Sequence, residues 1–239
     1  MKACLGAAKL AVAFALLFLA TAMVWTIITL PLSFDPRNAI VPVAVGFGTG
    51  MALFTVFSRF LVVYVFGHEL THWVAAKCFL RKTGTFRISS RGGSVAVERP
   101  NVWIVLAPYF VPVYTIIWIG LYGTFRFFVP GPGDAVRGFF YDRFVMRVFY
   151  GGVGFTYAFH VVLTISALVR EQQDLRVYGR VFSMSLIWFC NVSLLFITLA
   201  IAGQQFDYAG KLLLGRLQLQ WQFCVVLATV IAEKVSTLS

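Results

Sequence analysis

The chain reads FLVVYVFGHELTHWVAAKCFL at residues 60–80, an apolar stretch of 21 residues with an HExxH motif at its centre. On a helix, His68 and His72 lie one turn apart on the same face, so both imidazoles can reach one metal ion. Glu69 lies beside them, where it can deprotonate a water molecule at that metal. Polar groups in hydrocarbon cost about 2–3 kcal/mol for each charged residue and are usually functional or paired. The stretch therefore predicts a zinc site on a membrane-spanning helix.

The composition is that of an integral membrane protein. Of the 239 residues, 60% are hydrophobic and 12% are charged, and the mean hydropathy is +0.85, whereas about 25% of a soluble domain is charged. The net charge of +11 does not indicate nucleic-acid binding, because the basic residues are spread through the connections and form no stripe interleaved with aromatic residues. The four cysteines form no CxxC pair and are predicted to be small buried hydrophobes.

Charged residues delimit five or six apolar spans in a single membrane-embedded domain over residues 1–239. The predicted fold is an all-α polytopic membrane protein, with Pro108 and Pro112 kinking its third span. Residues 40–58 are uncharged too, but too little chain separates them from the second span for the chain to reverse direction, so they are not predicted as a further span. Their proline and glycine content favours an irregular lead-in to the second span. The sixth segment is short enough to be a span, a re-entrant piece or an interfacial helix. The segments are 10–30, 60–80, 101–125, 148–169, 181–202 and the optional 217–232.

All three histidines of the chain fall into one layer of this topology, in which lysine and arginine bias places the N-terminus in the cytoplasm. Counted from the cytoplasmic ends of their spans, His68, His72, His160 and Asn191 lie roughly 14–20 Å deep at 1.5 Å per residue. His160 is either the third zinc ligand or a histidine bonded to a neighbouring helix. Asp174 is the alternative ligand, although the connection would have to fold back about 15 Å to bring it to the metal. Asn191 either bonds between helices or holds the substrate or its oxyanion.

The segment between the second and third spans has the pattern of a small cytoplasmic β-hairpin. Apolar and polar residues alternate over residues 85–90 and again over 94–98, on either side of Arg91, Gly92 and Gly93. The segment is either a plain hairpin or one whose free edge binds an extended substrate by strand addition.

An HExxH helix followed by a cytoplasmic hairpin and further spans resembles the site-2 protease family of intramembrane zinc metallopeptidases. The likeness covers about residues 60–112. It is carried by the core GHELTHW at residues 67–73, and by the order of helix, hairpin and the stretch NVWIVLAP at residues 101–108.

This resemblance implies a zinc ion held by His68 and His72, with Glu69 as the catalytic base. The third ligand of the family is an aspartate in an LDG-type sequence on a later span, and this chain has no such sequence. Either His160 takes that place and gives a site of three histidines, or Asp174 takes it from the edge of a span.

The sequence therefore predicts a zinc-dependent metalloendopeptidase that hydrolyses peptide bonds within or near transmembrane segments of membrane proteins. The alternatives are a catalytically inactive zinc-binding membrane protein with a regulatory or partner-binding role, and a transporter. The transporter is disfavoured because no ladder of ionisable groups continues across the predicted spans. The predicted partners are the lipid bilayer and a membrane protein or peptide substrate. The resemblance implies the bacterial inner membrane, with the site opening toward the cytoplasm.

Overall fold

The computed structural model describes residues 2–31, 39–56, 61–89, 92–129, 135–169, 173–202 and 205–238. The sequence suggests one domain. The contacts within the chain divide it into two compact units: residues 35–180, and residues 1–34 with 181–239. The second of these units contains α1 (Lys2–Thr29), most of α8 (Arg180–Ala202) and α9 (Phe206–Leu238). The unit of residues 35–180 contains α2 (Ile40–Val56), α3 (Leu61–Cys78), β1 (Thr83–Ser89), β2 (Gly92–Val97), α4 (Val102–Leu106), a short 3-10 helix (Ala107–Tyr109), α5 (Val113–Phe128), α6 (Ala135–Val169) and α7 (Gln173–Val177).

Several helices have the length and composition of membrane spans. In the described ranges, four helical segments are long and apolar enough to cross a membrane: Gly6–Thr29, Tyr141–Val169, Arg180–Ile201 and Phe206–Ser236. A fifth candidate is the bent pair formed by Val102–Tyr109 and Val113–Phe128. The structure thus confirms a largely helical chain with apolar segments of membrane-spanning length. The described residues contain four or five such segments, whereas the sequence predicts five or six.

The helix of the HExxH motif is not among the candidate spans of the described residues. It corresponds to the predicted span 60–80 but is an 18-residue helix, Leu61–Cys78, that ends earlier. The polar residues of the motif and Lys77 in its last turn lower its hydropathy. The helix ends in a Schellman motif, with Leu80 in the left-handed conformation (φ 53°); the Arg81 N–H donates to the Ala76 carbonyl at 2.8 Å.

The optional sixth segment, 217–232, is part of a longer element than the sequence indicates. It lies within α9, a continuous helix of 33 residues. Most of that helix, Phe206–Ser236, has the length and hydropathy of a span. A helix of membrane-spanning length therefore replaces the alternative of a short re-entrant piece.

The interpretation of residues 40–58 as an irregular lead-in is wrong over residues 40–56; residues 57 and 58 lie outside the described ranges. Residues 40–56 form α2, a helix of 17 residues, with Pro42 in the first turn, where a missing N–H costs no intrahelical bond. Helix α2 packs along α6. At one end of this contact the ring of Phe54 lies 4.6 Å from that of Phe159, centroid to centroid.

The glycines that suggested irregularity allow the backbones of these two helices to approach closely. A Cβ atom on Gly46 would overlap the carbonyl oxygen of Gly151, and one on Gly50 would lie 2.8 Å from the Cβ atom of Ala158. The spacing of four residues between Gly46 and Gly50 is the small-xxx-small pattern of membrane helix pairs, in which small residues permit close packing. The same residues that weaken an isolated helix thus stabilise this pair.

The predicted β-hairpin is confirmed. Strands β1 and β2 are antiparallel, with Phe86 opposite Val95 and Ser89 opposite Gly92. Both strands begin about two residues earlier than the alternation of the sequence indicates, so Gly92 and Gly93 belong to β2. Residue 90, at the end of the first predicted strand, and residue 91, the first of the predicted turn, lie outside the described residues.

The predicted third span, 101–125, is broken near the prolines that were expected to kink it. Helix α4 and the 3-10 helix meet α5 at an angle of 75°, with Pro108 before the break and Pro112 at its end. The Oδ1 atom of Asn101 accepts from the Ile104 N–H at 2.9 Å and so caps α4. The break leaves a short capped segment, residues 101–109, which contacts α3.

Candidate metal centre

Three potential metal ligands converge at the side of α3. His68 and His72 lie one turn apart on that helix, and Asp174 lies in the first turn of α7. The Oδ2 atom of Asp174 is 3.5 Å from Nε2 of His68 and 3.7 Å from Nε2 of His72. Within the described ranges, these residues form the one group of three His, Cys, Asp or Glu side chains whose ligand atoms all lie within 4.8 Å of one another. The structure thus brings the alternative third ligand of the sequence analysis to the two histidines.

Asp174 reaches the histidines because α7 folds back against α4. Leu175 of α7 is buried, α7 contacts α4, and the Tyr109 hydroxyl donates to Oδ2 of Asp174 at 3.0 Å. The distance to be covered is also shorter than the sequence suggests. Helix α3 ends at Cys78, six residues after His72, which is about 9 Å along the axis.

The ring nitrogens of the two histidines have defined partners. The Nδ1 atom of His72 lies 2.8 Å from the Ile104 carbonyl oxygen, which can only accept, so Nδ1 carries a proton and Nε2 is the ring nitrogen that faces Asp174. The Nδ1 atom of His68 lies 3.3 Å from the Tyr64 hydroxyl. A histidine whose second nitrogen is hydrogen-bonded in this way is typical of metal sites.

The carboxylate of Asp174 is stabilised in its charged form. Its side chain is 27% exposed. Burial raises the pKa of Asp174, but the imidazoles of His68 and His72, whose Nε2 atoms face its Oδ2, outweigh burial and hold the pKa well below its ordinary value. The group can therefore supply an anionic oxygen ligand.

Glu69 lies next to the three ligands, against the second strand of the hairpin. Its side chain is 8% exposed. A Cβ atom on Gly93 would lie 2.6 Å from Cγ of Glu69 and 2.6 Å from Cγ1 of Val65. The strand therefore contacts α3 directly, and a glycine at residue 93 is what allows it.

A cleft of about 370 Å³ gives access to this group. The cleft is lined by the two histidines, Glu69 and Asp174, by residues 93–95 and 97 of β2, and by Pro100, Ile104, Val105 and Gln173. An acid or base, three potential metal ligands and a strand backbone thus face the same space.

His160, the first candidate for the third ligand, lies outside the group of three. It lines a separate small cavity of about 20 Å³ that also touches His68, Thr71 and Tyr114. A volume of this size holds one water molecule. The geometry favours Asp174 over His160 as a ligand.

Asn191 lies on α8, in the unit that contains α1 and α9. Its amide nitrogen donates to the Ile187 carbonyl of its own helix at 2.9 Å. A part for Asn191 in holding the substrate or its oxyanion remains a prediction from the sequence.

Sequence reasoning did not find Tyr109, the Ile104 carbonyl or Gly93. Tyr109 is a single hydroxyl in an apolar run, and the role of a carbonyl cannot be assigned from a side-chain pattern. Gly93 was assigned to a turn, and its contact with Glu69 depends on how the hairpin packs against α3.

The donor set of two imidazole nitrogens and one carboxylate oxygen suits a catalytic zinc ion, which takes three protein ligands of these kinds. Bonds of about 2.0–2.2 Å in a tetrahedral arrangement separate ligand atoms by about 3.3–3.6 Å. The observed separations of 3.5 and 3.7 Å are close to that range. No protein-family model, curated protein or solved structure matches this chain.

Proposed function

We propose that this chain is a membrane-embedded zinc metalloendopeptidase that hydrolyses peptide bonds within or near transmembrane segments of other membrane proteins. One observation carries the proposal: Asp174 joins the two HExxH histidines, and Glu69 faces the same cleft. An HExxH helix alone supplies two ligands, and a catalytic zinc site needs a third protein ligand and an open position for water.

The residues of the cleft have distinct roles in this reaction. His68, His72 and Asp174 would hold zinc, which when bound acidifies a water molecule and polarises a carbonyl group. Glu69 takes a proton from the attacking water and passes it to the leaving amine as the peptide bond breaks. Strand β2 packs against the Glu69 side chain at Gly93 and restricts its orientation. Glu69 is thus the base of the first half of the reaction and the acid of the second.

The cleft favours a substrate in an extended conformation. Residues 93–95 of β2 line the cleft. An extended peptide in the cleft can pair with this strand by strand addition. A helical substrate has its carbonyls and N–H groups bonded internally, and we expect it to unwind before cleavage.

The location of the protein is part of the same proposal. The candidate spans and the bias of lysine and arginine toward the hairpin side support a multi-pass membrane protein whose site opens toward the cytoplasm. The bacterial inner membrane follows from the resemblance to site-2 proteases.

The proposal is tested by comparing the wild type with Glu69→Gln in detergent. Each protein is incubated with solubilised membrane proteins of the expression host, new N-termini are mapped by mass spectrometry, and zinc per chain is measured. We expect wild type to produce new N-termini and Glu69→Gln to produce none, with zinc bound to both. Glu98→Gln is the control, because Glu98 is an exposed acid just after β2.

Two results would contradict the proposal. Cleavage retained in Glu69→Gln would remove Glu69 from the mechanism. Zinc bound by a well-folded wild type that cleaves nothing would instead support a zinc-binding membrane protein without catalytic activity.

A further inference from the structure

We propose that Tyr109 is a positioning residue that orients the third metal ligand, and that the broken segment at residues 101–109 holds all three ligands in place. This inference rests on the proposed function, since it concerns the same metal group. It assigns a role to a buried tyrosine and to a break in a span, neither of which the HExxH motif explains.

The Tyr109 side chain contacts two of the three ligands. Its hydroxyl donates to Oδ2 of Asp174 at 3.0 Å, the same oxygen that faces both histidines. Its ring stands edge-on to the ring of His68, with centroids 5.4 Å apart and an interplanar angle of 88°. Oδ2 is therefore held in the direction of the histidines, and the His68 ring packs against the same residue.

The burial of Tyr109 decides between a positioning and a catalytic role. Its exposed fraction is 0%, and it is not among the residues that line the cleft beside Glu69. A hydroxyl that stabilised a substrate oxyanion would have to reach that cleft. Tyr109 thus acts on the reaction through Asp174.

The segment also contacts the remaining ligand, His72, through its backbone. The Ile104 carbonyl accepts from Nδ1 of His72 at 2.8 Å, and the position of Ile104 is fixed by the Asn101 cap at 2.9 Å from its N–H. In an unbroken helix the Ile104 carbonyl would accept a hydrogen bond from the backbone N–H four residues later. That residue is Pro108, which has no backbone N–H. The carbonyl is free to accept from His72 for that reason.

Removing the Tyr109 hydroxyl should weaken metal binding without removing a ligand. Outer partners of metal ligands typically contribute 10–100-fold to metal affinity, because they fix the orientation of the ligand before the metal arrives. We expect Tyr109→Phe to raise the dissociation constant for zinc by about that factor. The ring against His68 is retained in this variant, so the effect isolates the hydroxyl.

The experiment is a chelator competition for zinc in detergent with wild type, Tyr109→Phe and Tyr122→Phe. Tyr122 is the matched control because it lies on α5 and its hydroxyl donates to the sulfur of Met146. The visible spectrum of each protein loaded with Co²⁺ reports the geometry around the metal. We expect weaker zinc binding and an altered spectrum in Tyr109→Phe, and wild-type behaviour in Tyr122→Phe.

The outcomes separate this inference from the proposed function. Wild-type zinc affinity and spectrum in Tyr109→Phe would overturn the positioning role and leave the metal site standing. No zinc bound by well-folded wild type would overturn both.

A second pair of variants keeps the inference testable if Tyr109→Phe does not fold. Asn101→Ala removes the cap that fixes Ile104 and should weaken zinc binding, whereas Asn101→Asp keeps an oxygen acceptor and should restore it. Equal zinc affinity in the wild type and Asn101→Ala would overturn the role of the segment.

Discussion

Replacing Gly93 with alanine should lower the rate of peptide cleavage and leave zinc bound. The new Cβ atom would lie 2.6 Å from Cγ of Glu69, 2.6 Å from Cγ1 of Val65 and 3.1 Å from the Arg87 carbonyl oxygen. Carbon atoms in contact normally lie about 3.5–4.0 Å apart. Strand β2 or the Glu69 side chain must therefore shift by about 1 Å.

The size of the effect follows from this displacement. Strand β2 packs directly against the Glu69 side chain at Gly93, so a shift of either one displaces the base from its position in the cleft. A misplacement of about 1 Å costs about 100-fold in rate, which corresponds to about 2.7 kcal/mol of the barrier. None of the three atoms nearest the new methyl group belongs to a metal ligand. Zinc content should therefore stay at the wild-type value.

The assay measures kcat on a synthetic peptide that spans a mapped cleavage site, with zinc per chain and the melting temperature in detergent. Overpacking costs about 1–3 kcal/mol of stability on its own, so a control is needed. Gly84→Ala supplies it, because a Cβ atom there meets only the Cβ atom of Ala96 within the hairpin, at 3.2 Å. A wild-type rate in Gly93→Ala, or an equal loss in Gly84→Ala, would refute the idea that β2 positions Glu69.

Two further predictions concern the ligand set and the packing of α2. Zinc analysis should find the metal lost in Asp174→Ala and about one ion per chain retained in His160→Ala; the opposite pattern would make His160 the ligand. Gly46→Ala should destabilise the protein by about 1–3 kcal/mol in detergent unfolding, because its Cβ atom would overlap the Gly151 carbonyl oxygen. Gly48→Ala, with nothing within 4 Å of its Cβ atom, should leave stability unchanged or raise it by up to about 1 kcal/mol. Equal melting temperatures for the two variants would contradict the close contact of α2 with α6.

The features that the sequence predicts correctly depend on residues close together in the chain. The placement of His68 and His72 on one face needs only the period of a helix, and the hairpin needs only two alternating stretches close together in the chain. The break of the third span follows from two prolines four residues apart. In each case one local rule decides the structure, and no distant residue competes with it.

The error at residues 40–58 has a different cause. Glycine lowers helix propensity by about 1 kcal/mol relative to alanine, and that local cost was taken as decisive. The close helix packing that offsets this cost involves residues about 100 positions away in α6, where Gly151 and Ala158 form the other half of the contact. Two sets of small residues at helical spacing, Gly46 with Gly50 and Gly154 with Ala158, are the signal that predicts such a pair.

The third ligand shows the limit of counting depth along spans. That count treats each charged residue as the end of a helix and each connection as surface, which favours His160, within α6, over Asp174, beyond its end. The count fails because α7 packs against α4 and Tyr109 holds the carboxylate, contacts that no local pattern encodes. A ligand from a connection also has a chemical advantage. Such a ligand keeps the three potential metal ligands within about 9 Å of the end of α3. It also leaves Asp174 27% exposed, so water reaches a site on an apolar helix. The proposed hydrolysis requires such access.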